Sequence, residues 1–375
     1  MLYVFIISIF FIFYTYLGYP IVVFILSMFL NKKIKYDNSF EPNISVVIIA
    51  YNAEKFIEKK ITNILSSAYP CEKMEIIIVN DGSDDQTLDL INKYNKEVIC
   101  LSFDVRRGKA ACLNDAVNQA SSDYIVFADV RQDFAPQTLK QLVLPLSDPS
   151  IGAVSGELVF IDDDHNSFSK GIDAYWRYEK LIRNSEASIS SVIGVTGAVY
   201  SLKKGLFTEL PSGVVLDDVL VPMKVILSGY RVAFNPEAIA YDVPSSDKAN
   251  EKRRKIRTLA GNYQLVSLCP SLINPLKNRV FLQFVSHKLL RLLGPFFMIM
   301  AFISNVFLLN VHVIYEVLLV SQVSIYLISI VNHFNVSYPG SKSFPVRIIN
   351  TFITLNWYSF LALIEFIKGK KTHLW

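Results

Sequence analysis

The first 30 residues contain no Asp, Glu, Lys or Arg and are almost unbroken apolar. A stretch of that length and composition is costly to leave in water and can span a bilayer with some tilt. A secretory signal would start with basic residues and end at a small-residue cleavage site, and neither feature is present. Residues 1–30 are therefore expected to form an N-terminal transmembrane helix. Lys32, Lys33 and Lys35 come directly after it, and the positive-inside rule then places the next segment in the cytosol.

That next segment is too polar to be a membrane bundle. Hydrophobic residues make up 52% of the 375-residue chain and charged residues 19%, which fits a water-facing domain fused to membrane segments. The net charge of +4 makes no demand for nucleic acid and suits a domain resting on anionic lipid. The cysteines Cys71, Cys100, Cys112 and Cys269 show no zinc or redox spacing and are read as free thiols in a reducing compartment.

Between about residues 43 and 264 the hydrophobic pattern alternates between strand and helix. Ile44-Ser45-Val46-Val47-Ile48-Ile49-Ala50, Glu75 to Asn80, Val98 to Phe103 and Tyr124 to Asp129 are apolar runs of strand length. Ile57, Ile61, Ile64 and Leu65, and later Ala110, Leu113, Ala116 and Val117, recur at helical spacing. The order predicts an α/β fold with a mostly parallel sheet and helices on both faces. Ligands of such sheets bind beyond the carboxyl ends of the strands, which is where Asn80, Asp81 and Asp129 fall.

Those strand ends carry chemistry. Tyr51-Asn52 pairs an aromatic with an amide that can hold a nucleobase, or simply opens a helix. Asp81 in Asn80-Asp81-Gly82-Ser83-Asp84-Asp85 can accept from a base or ribose; a turn with Asp84 or Asp85 as helix cap is the alternative. Arg107-Gly108-Lys109 opens a helix, where a phosphate is favoured, although the Walker spacing is absent. Asp129, a hard carboxylate at a strand end, suits Mg²⁺ or Mn²⁺ bridging a diphosphate.

In order and spacing, Ile48-Ile49-Ala50-Tyr51-Asn52, Val79 to Asp85, Arg107-Gly108-Lys109-Ala110 with Leu113-Asn114, and Phe127-Ala128-Asp129 resemble the family-2 glycosyltransferases of the cellulose, hyaluronan and poly-N-acetylglucosamine synthase type. The resemblance implies a GT-A fold, a nucleotide-sugar donor and a divalent metal. It maps Tyr51, Asn52, Asp81 and Lys109 to the nucleotide pocket and Asp129 to the first carboxylate of the Asp-x-Asp metal motif. Arg131 replaces the second carboxylate, and it is expected to pair with the diphosphate or with Asp133. Val195 to Tyr200 is similar to the acceptor stretch, with Gly197 as its small residue. Leu216-Asp217-Asp218 resembles the Thr-Glu-Asp motif, which makes Asp217 and Asp218 the catalytic pair and Asp218 the general base. A helix cap before Val219 is the alternative. Arg257 matches the Arg of Gln-x-x-Arg-Trp, where its guanidinium is expected to clamp the leaving diphosphate of the nucleotide-sugar, whereas Arg254 and Thr258 depart from the motif. The basic run Lys252 to Arg257 can equally form a face against lipid headgroups.

The resemblance implies transfer of a sugar, with UDP-sugar as the expected donor, to a growing polysaccharide or a glycolipid in the plasma or inner membrane. Loading of a polyprenyl phosphate is the enzymatic alternative, and a non-catalytic membrane scaffold is the other. Asp162-Asp163-Asp164-His165 is read as a solvated turn, with Tyr175, Trp176 and Tyr178 beyond it as packing residues or acceptor-stacking rings. From residue 277 to 368 the chain returns to membrane character. Phe281 to Lys288 is expected in the interface, and Leu289 to Leu309, Val313 to Ile330 and Ile348 to Ile367 as spans. One count does not close. Three C-terminal spans would carry Lys368-Gly369-Lys370-Lys371 to the outer side, against the positive-inside rule. Either one apolar segment fails to cross or the tail breaks the rule.

Overall fold

A computed structural model describes residues 1–161, 169–243, 248–334 and 343–369. The Asp162 to His165 turn lies outside the described residues, as do the side chains of Tyr175 and Trp176. The strands are β1 (Ile44–Ala50), β2 (Met74–Asp81), β3 (Val98–Phe103), β4 (Tyr124–Asp129), β5 (Asp133–Phe134), β6 (Ile151–Phe160), β7 (Val199–Lys203) and β8 (Arg231–Asp242). They form one sheet in the order β3-β2-β1-β4-β7-β6-β8-β5.

The strand β1 is buried along its whole length, as its unbroken apolar run requires. Ile44, Val46, Ile48 and Ala50 enter one core, and Val47 and Ile49 the other, because successive side chains leave a strand on opposite faces. On the first face pack Ile57, Ile61 and Ile64 of helix Ile57–Leu65. On the second pack Ala110, Leu113 and Val117 of helix Lys109–Gln119, with Val219 and Met223 of helix Asp217–Leu227. Helices thus cover both faces, as expected.

Strands β3, β2, β1 and β4 are parallel. Beyond β4 the sheet is mixed: β7 runs antiparallel to both β4 and β6, β8 runs parallel to β6, and β5 runs antiparallel to β8. The alternation that identified the parallel half fades here, because β6 to β8 are joined by long excursions rather than by single crossover helices. Chain order reverses between β1 and β4, and a crevice opens at their carboxyl ends.

Among the described residues four helices are long and apolar enough to cross a membrane: Leu2–Phe29, Phe281–Val306, Val313–Asn332 and Phe344–Ile367, with mean hydropathies of 2.1, 1.8, 1.9 and 1.2. The first continues through Pro20, with a π-turn at Tyr14–Gly18 that absorbs the missing amide. Phe281–Val306 is one continuous helix, so the segment expected in the interface, Phe281 to Lys288, runs without a break into the span expected from Leu289. Two of its polar residues, His287 and Arg291, take their partners from the sheet domain. His287 meets Glu186 at 2.9 Å and Glu179 at 3.0 Å, and Arg291 also pairs with Glu179. Tyr19 of the first helix donates to the same Glu186 at 2.5 Å. Both glutamates lie on helix Ser169–Ile189, so this buried cluster fastens the two long apolar helices to the sheet domain.

Candidate active site

The crevice between the ends of β1 and β4 collects residues from four segments. Tyr51 follows β1, and the Arg106 guanidinium lies over its ring, 3.9 Å from the centroid. A cation on an aromatic face gives a flat platform of the kind that stacks a base. Asn52, the non-glycine residue with positive φ (47°), sends its side-chain oxygen to the Asp84 amide at 3.1 Å. Asp85 accepts from the Glu54 and Thr87 amides at 3.1 and 2.9 Å, so it ties the two loops together and holds the start of helix Thr87–Asn92.

Asp81 is fully buried, and its oxygens accept from the amides of Arg107 at 2.7 Å and Gly108 at 2.9 Å. What Asp81 does here is shape the loop that presents Lys109. The base or ribose contact expected of it would have to use the remaining lone pairs of these oxygens. Gly82, at φ +67°, packs against the same loop, and a Cβ there would stand 2.6 Å from the Arg106 nitrogen. Gly108, at φ 90°, then starts the helix that begins with Lys109.

The Lys109 ammonium lies between two carboxylates, 3.1 Å from Asp129 Oδ1 and 3.6 Å from Asp217 Oδ2. Burial opposes its charge, but Asp129, Asp217 and Asp218 outweigh burial and hold it above the usual lysine pKa. Asp217 and Asp218 occupy the first turn of helix Asp217–Leu227, where the helix dipole favours negative charge. Leu216, not an Asp, is the residue before that helix and makes no side-chain cap, so capping does not account for the pair. The Asp218 carbonyl accepts from the Val195 amide at 2.8 Å and anchors the loop that carries Gly197. A Cβ on Gly197 would meet the Asp218 Cβ at 3.2 Å, so the missing side chain leaves room beside the carboxylate. Burial first, and then the charge of Asp217, push the Asp218 carboxyl up to about 6, while Lys109 and Lys288 limit the rise.

Arg257 reaches the site from helix Lys248–Leu268. Burial lowers its pKa, and the charges of Asp217 and Asp218 favour the guanidinium. On the same helix Lys252, Arg253 and Arg254 are exposed, and Arg254 pairs with Glu251 at 2.8 Å. The basic run therefore divides: Arg257 turns to the carboxylates, three residues face the surface, and the half-buried Lys255 pairs with Glu251 at 3.4 Å.

Arg131 does not pair with Asp133. It binds Asp242 of β8 at 3.1 Å, and Asp133 pairs instead with Lys59 at 2.5 Å. The two-residue step from Asp129 crosses from the end of β4 to the β5 edge, which turns the guanidinium toward β8. Among the described residues no three His, Cys, Asp or Glu side chains cluster as metal ligands. Two features nonetheless fit a divalent cation. The Asp129 side chain is 43% exposed, and the buried Asp217 Oδ2 has no hydrogen-bond partner. A Mg²⁺-type ion needs only one or two carboxylates when phosphates and water complete its shell.

Residues 45–204 match the profile of Glycosyl transferase family 2, and residues 134–334 that of Glycosyl transferase family group 2. The chain belongs to the family-2 glycosyltransferases. It is 27% identical over 255 residues to poly-β-1,6-N-acetyl-D-glucosamine synthase of Staphylococcus aureus (strain COL). That match covers 64% of this chain and 61% of the relative, so the chain spans under two thirds of the relative's length. The Staphylococcus epidermidis synthase is 24% identical over 241 residues, covering 62% of this chain and 58% of that one. In fold the chain resembles a mannosyltransferase from Pyrobaculum calidifontis, solved in complex with GDP-Man and Mn²⁺. The TM-score is 0.74 over 98% of this chain and 99% of that one, at 20% identity.

Three side chains of this glycosyltransferase site escaped the sequence reading. Arg183 donates to Thr196 Oγ1 at 2.7 Å beside Gly197. Lys288, on the long apolar helix Phe281–Val306, lowers the Asp218 pKa through its charge. The Tyr200 ring stacks on Phe127 with centroids 4.4 Å apart, and its hydroxyl is buried without a partner. Only the basic and aromatic residue types were visible in the sequence, because their partners lie up to about a hundred residues away.

Proposed function

We propose that this glycosyltransferase moves a sugar from a nucleoside-diphosphate donor, a UDP-sugar, to a hydroxyl of a growing polysaccharide, with inversion, at the cytosolic face of the membrane. The observation that carries the reading is Asp218. It is a carboxylate with an elevated pKa, set beside the gap at Gly197 and one residue from the Lys109–Asp217 pair. A base with a pKa near neutrality can both receive a proton and exist ionised at working pH.

Asp218 would take the proton of the acceptor hydroxyl as that oxygen bonds to the anomeric carbon. On the opposite face of that carbon the bond to the diphosphate oxygen breaks, and the diphosphate leaves with the electron pair. Lys109 and Arg257 would stabilise the charge that develops there. The Tyr51–Arg106 platform would hold the base. Asp129, with Asp217 Oδ2, would hold a divalent cation arriving with the donor, whose chemistry is to neutralise the leaving diphosphate as a Lewis acid. The relatives' names, poly-N-acetylglucosamine synthases, support an N-acetylhexosamine donor and a polymeric product.

One observation favours a second acceptor. Arg183 and Lys288 bring cations to the acceptor side of Asp218 at a membrane helix, which suits a polyprenyl phosphate. The experiment is a screen of nucleotide-sugar turnover by the purified protein in lipid nanodiscs, with the product partitioned between organic solvent and water. Asp218-dependent release of UDP with a water-soluble polymer supports the first reading. A lipid-extracted product supports the second. Absence of turnover with every UDP-sugar overturns the donor assignment.

A further inference from the structure

Two of the long apolar helices pack as a bilayer pair must. Phe5 packs with Ala301 and Leu308, the Phe11 ring stacks on Phe297 at 4.9 Å, and the Tyr19 ring lies 6.2 Å from His287. An advance of 14 residues along the first helix (5 to 19) meets a retreat of 14 along the second (301 to 287). Such steady register marks antiparallel neighbours. Helix Val313–Asn332 joins them from the end remote from the catalytic domain. Tyr315 meets Phe5 there at 5.7 Å, Gln322 donates to the Met298 carbonyl at 3.1 Å, and Ser329 reaches Asn350 at 3.2 Å.

Helix Phe344–Ile367 behaves differently. Phe352 meets Tyr16 at 4.8 Å, and the Tyr16 hydroxyl donates to Asn356 at 2.9 Å. Asn356 also lies against Gly294, Ser359 donates to the Leu292 carbonyl at 3.2 Å, and the Phe360 ring lies 6.1 Å from that of Phe296. From Phe352 to Phe360 the helix travels about 12 Å at 1.5 Å per residue, yet these partners stay within one turn of its neighbour. Such contacts belong to a crossing, not to a pair running side by side. Both ends lie at one level. Asn350 sits by the domain-proximal end of Val313–Asn332, while Ala362 packs on Ile256 and Ala260, and Phe366 stacks on Tyr263 at 5.7 Å. Those last three residues belong to helix Lys248–Leu268, which is part of the catalytic domain and carries Arg257. A helix that begins and ends beside the domain cannot finish on the far side of a bilayer.

We propose that Phe344–Ile367 lies in the plane of the membrane, in the headgroup boundary of the leaflet that bears the catalytic domain, and that the chain crosses the bilayer three times. The helix has the composition for this. It is the least hydropathic of the four, its exposed face carries Phe344, Ile348 and Trp357, and Arg347 and Lys368 stand near its ends. Apolar residues enter the acyl region while basic ends stay with the headgroups. The arrangement also closes the charge count. Arg347 and the basic tail from Lys368 share a side with Lys32, Lys33 and Lys35, and the far loop Phe307-Leu308-Leu309-Asn310-Val311-His312 has no Lys or Arg.

The test is accessibility of single cysteines to an impermeant thiol reagent, in the full-length chain with its four native cysteines replaced, in intact and lysed cells. Lys96→Cys marks the catalytic domain, Asn310→Cys the far loop, Ser343→Cys the start of the last helix and Gly369→Cys its end. Lys96, Ser343 and Gly369 are expected to react as one class, after lysis only, and Asn310 in intact cells. If Gly369 or Ser343 reacts with Asn310, the proposal is overturned. The proposal uses the cytosolic placement of the domain only to name the leaflet. Reaction of Lys96, Ser343 and Gly369 in intact cells, with Asn310 protected, would sink that placement and leave three crossings standing. A fluorescent-protein fusion at Trp375 requires no substitution. Bright fluorescence is expected; its absence together with activity of an alkaline phosphatase fusion at the same residue, in cells where Lys96→Cys stays protected until lysis, would overturn the proposal independently.

Discussion

The Lys109 ammonium lies 3.1 Å from Asp129 Oδ1, the carboxylate proposed to hold a divalent cation. A cation already answers the carboxylate that the metal motif provides, and Arg131, two residues on, is engaged with Asp242. A divalent ion competing alone must displace Lys109, whereas one arriving with a diphosphate gives Lys109 new partners. Calorimetric titration with Mn²⁺ should therefore show weak binding to the free protein and strong enhancement by nucleoside diphosphate. Tight binding to the free protein would place the metal elsewhere. Asp129→Ala should abolish turnover even at high metal.

Asp218→Asn keeps the shape of the side chain and removes the base. Turnover should fall by roughly 10²–10⁴ with donor affinity near normal, since general-base catalysis is worth that much. Near-native turnover would refute the assignment.

The elevated Asp218 pKa fixes a pH dependence. The base works only when ionised, so kcat/KM should rise through about pH 6 and flatten above it. Lys109 opposes the rise in Asp218 pKa, so Lys109→Met should move this limb to higher pH as well as weaken donor binding. An unmoved limb would show that the titrating group is not Asp218.

Gly197→Ala places a methyl group 3.2 Å from the Asp218 Cβ, and the neighbour must shift by a few tenths of an ångström. Displacement of a base on that scale should reduce kcat on the order of tenfold without unfolding the chain. The check is steady-state kinetics beside a thermal melt; an unchanged kcat would mean that the acceptor does not pass this point.

Arg131→Ala removes the partner of Asp242, whose carboxylate is buried but also accepts from Gln132 at 2.8 Å. Stability should drop by about 1 kcal/mol, while the apparent donor constant stays within twofold. A large rise in that constant would restore Arg131 to the diphosphate.

The sequence alone determined the sheet's parallel half and the positions of Tyr51, Asp81, Lys109 and Asp129 at strand ends. Apolar strand runs, helical periodicity and turn residues are local signals, and each is written in consecutive residues. It also isolated Asp217, Asp218 and Arg257 as motif residues. It could not pair Arg131 with Asp242, turn the oxygens of Asp81 toward the loop of Arg107 and Gly108, or set Lys109 between Asp129 and Asp217. Nor could hydropathy by itself separate the proposed in-plane helix from the crossing ones, because all four are long and apolar enough to cross. These were decided by which side chains the folded chain brings together across tens to hundreds of residues, where a buried charge must find its partner or lose its ionisation.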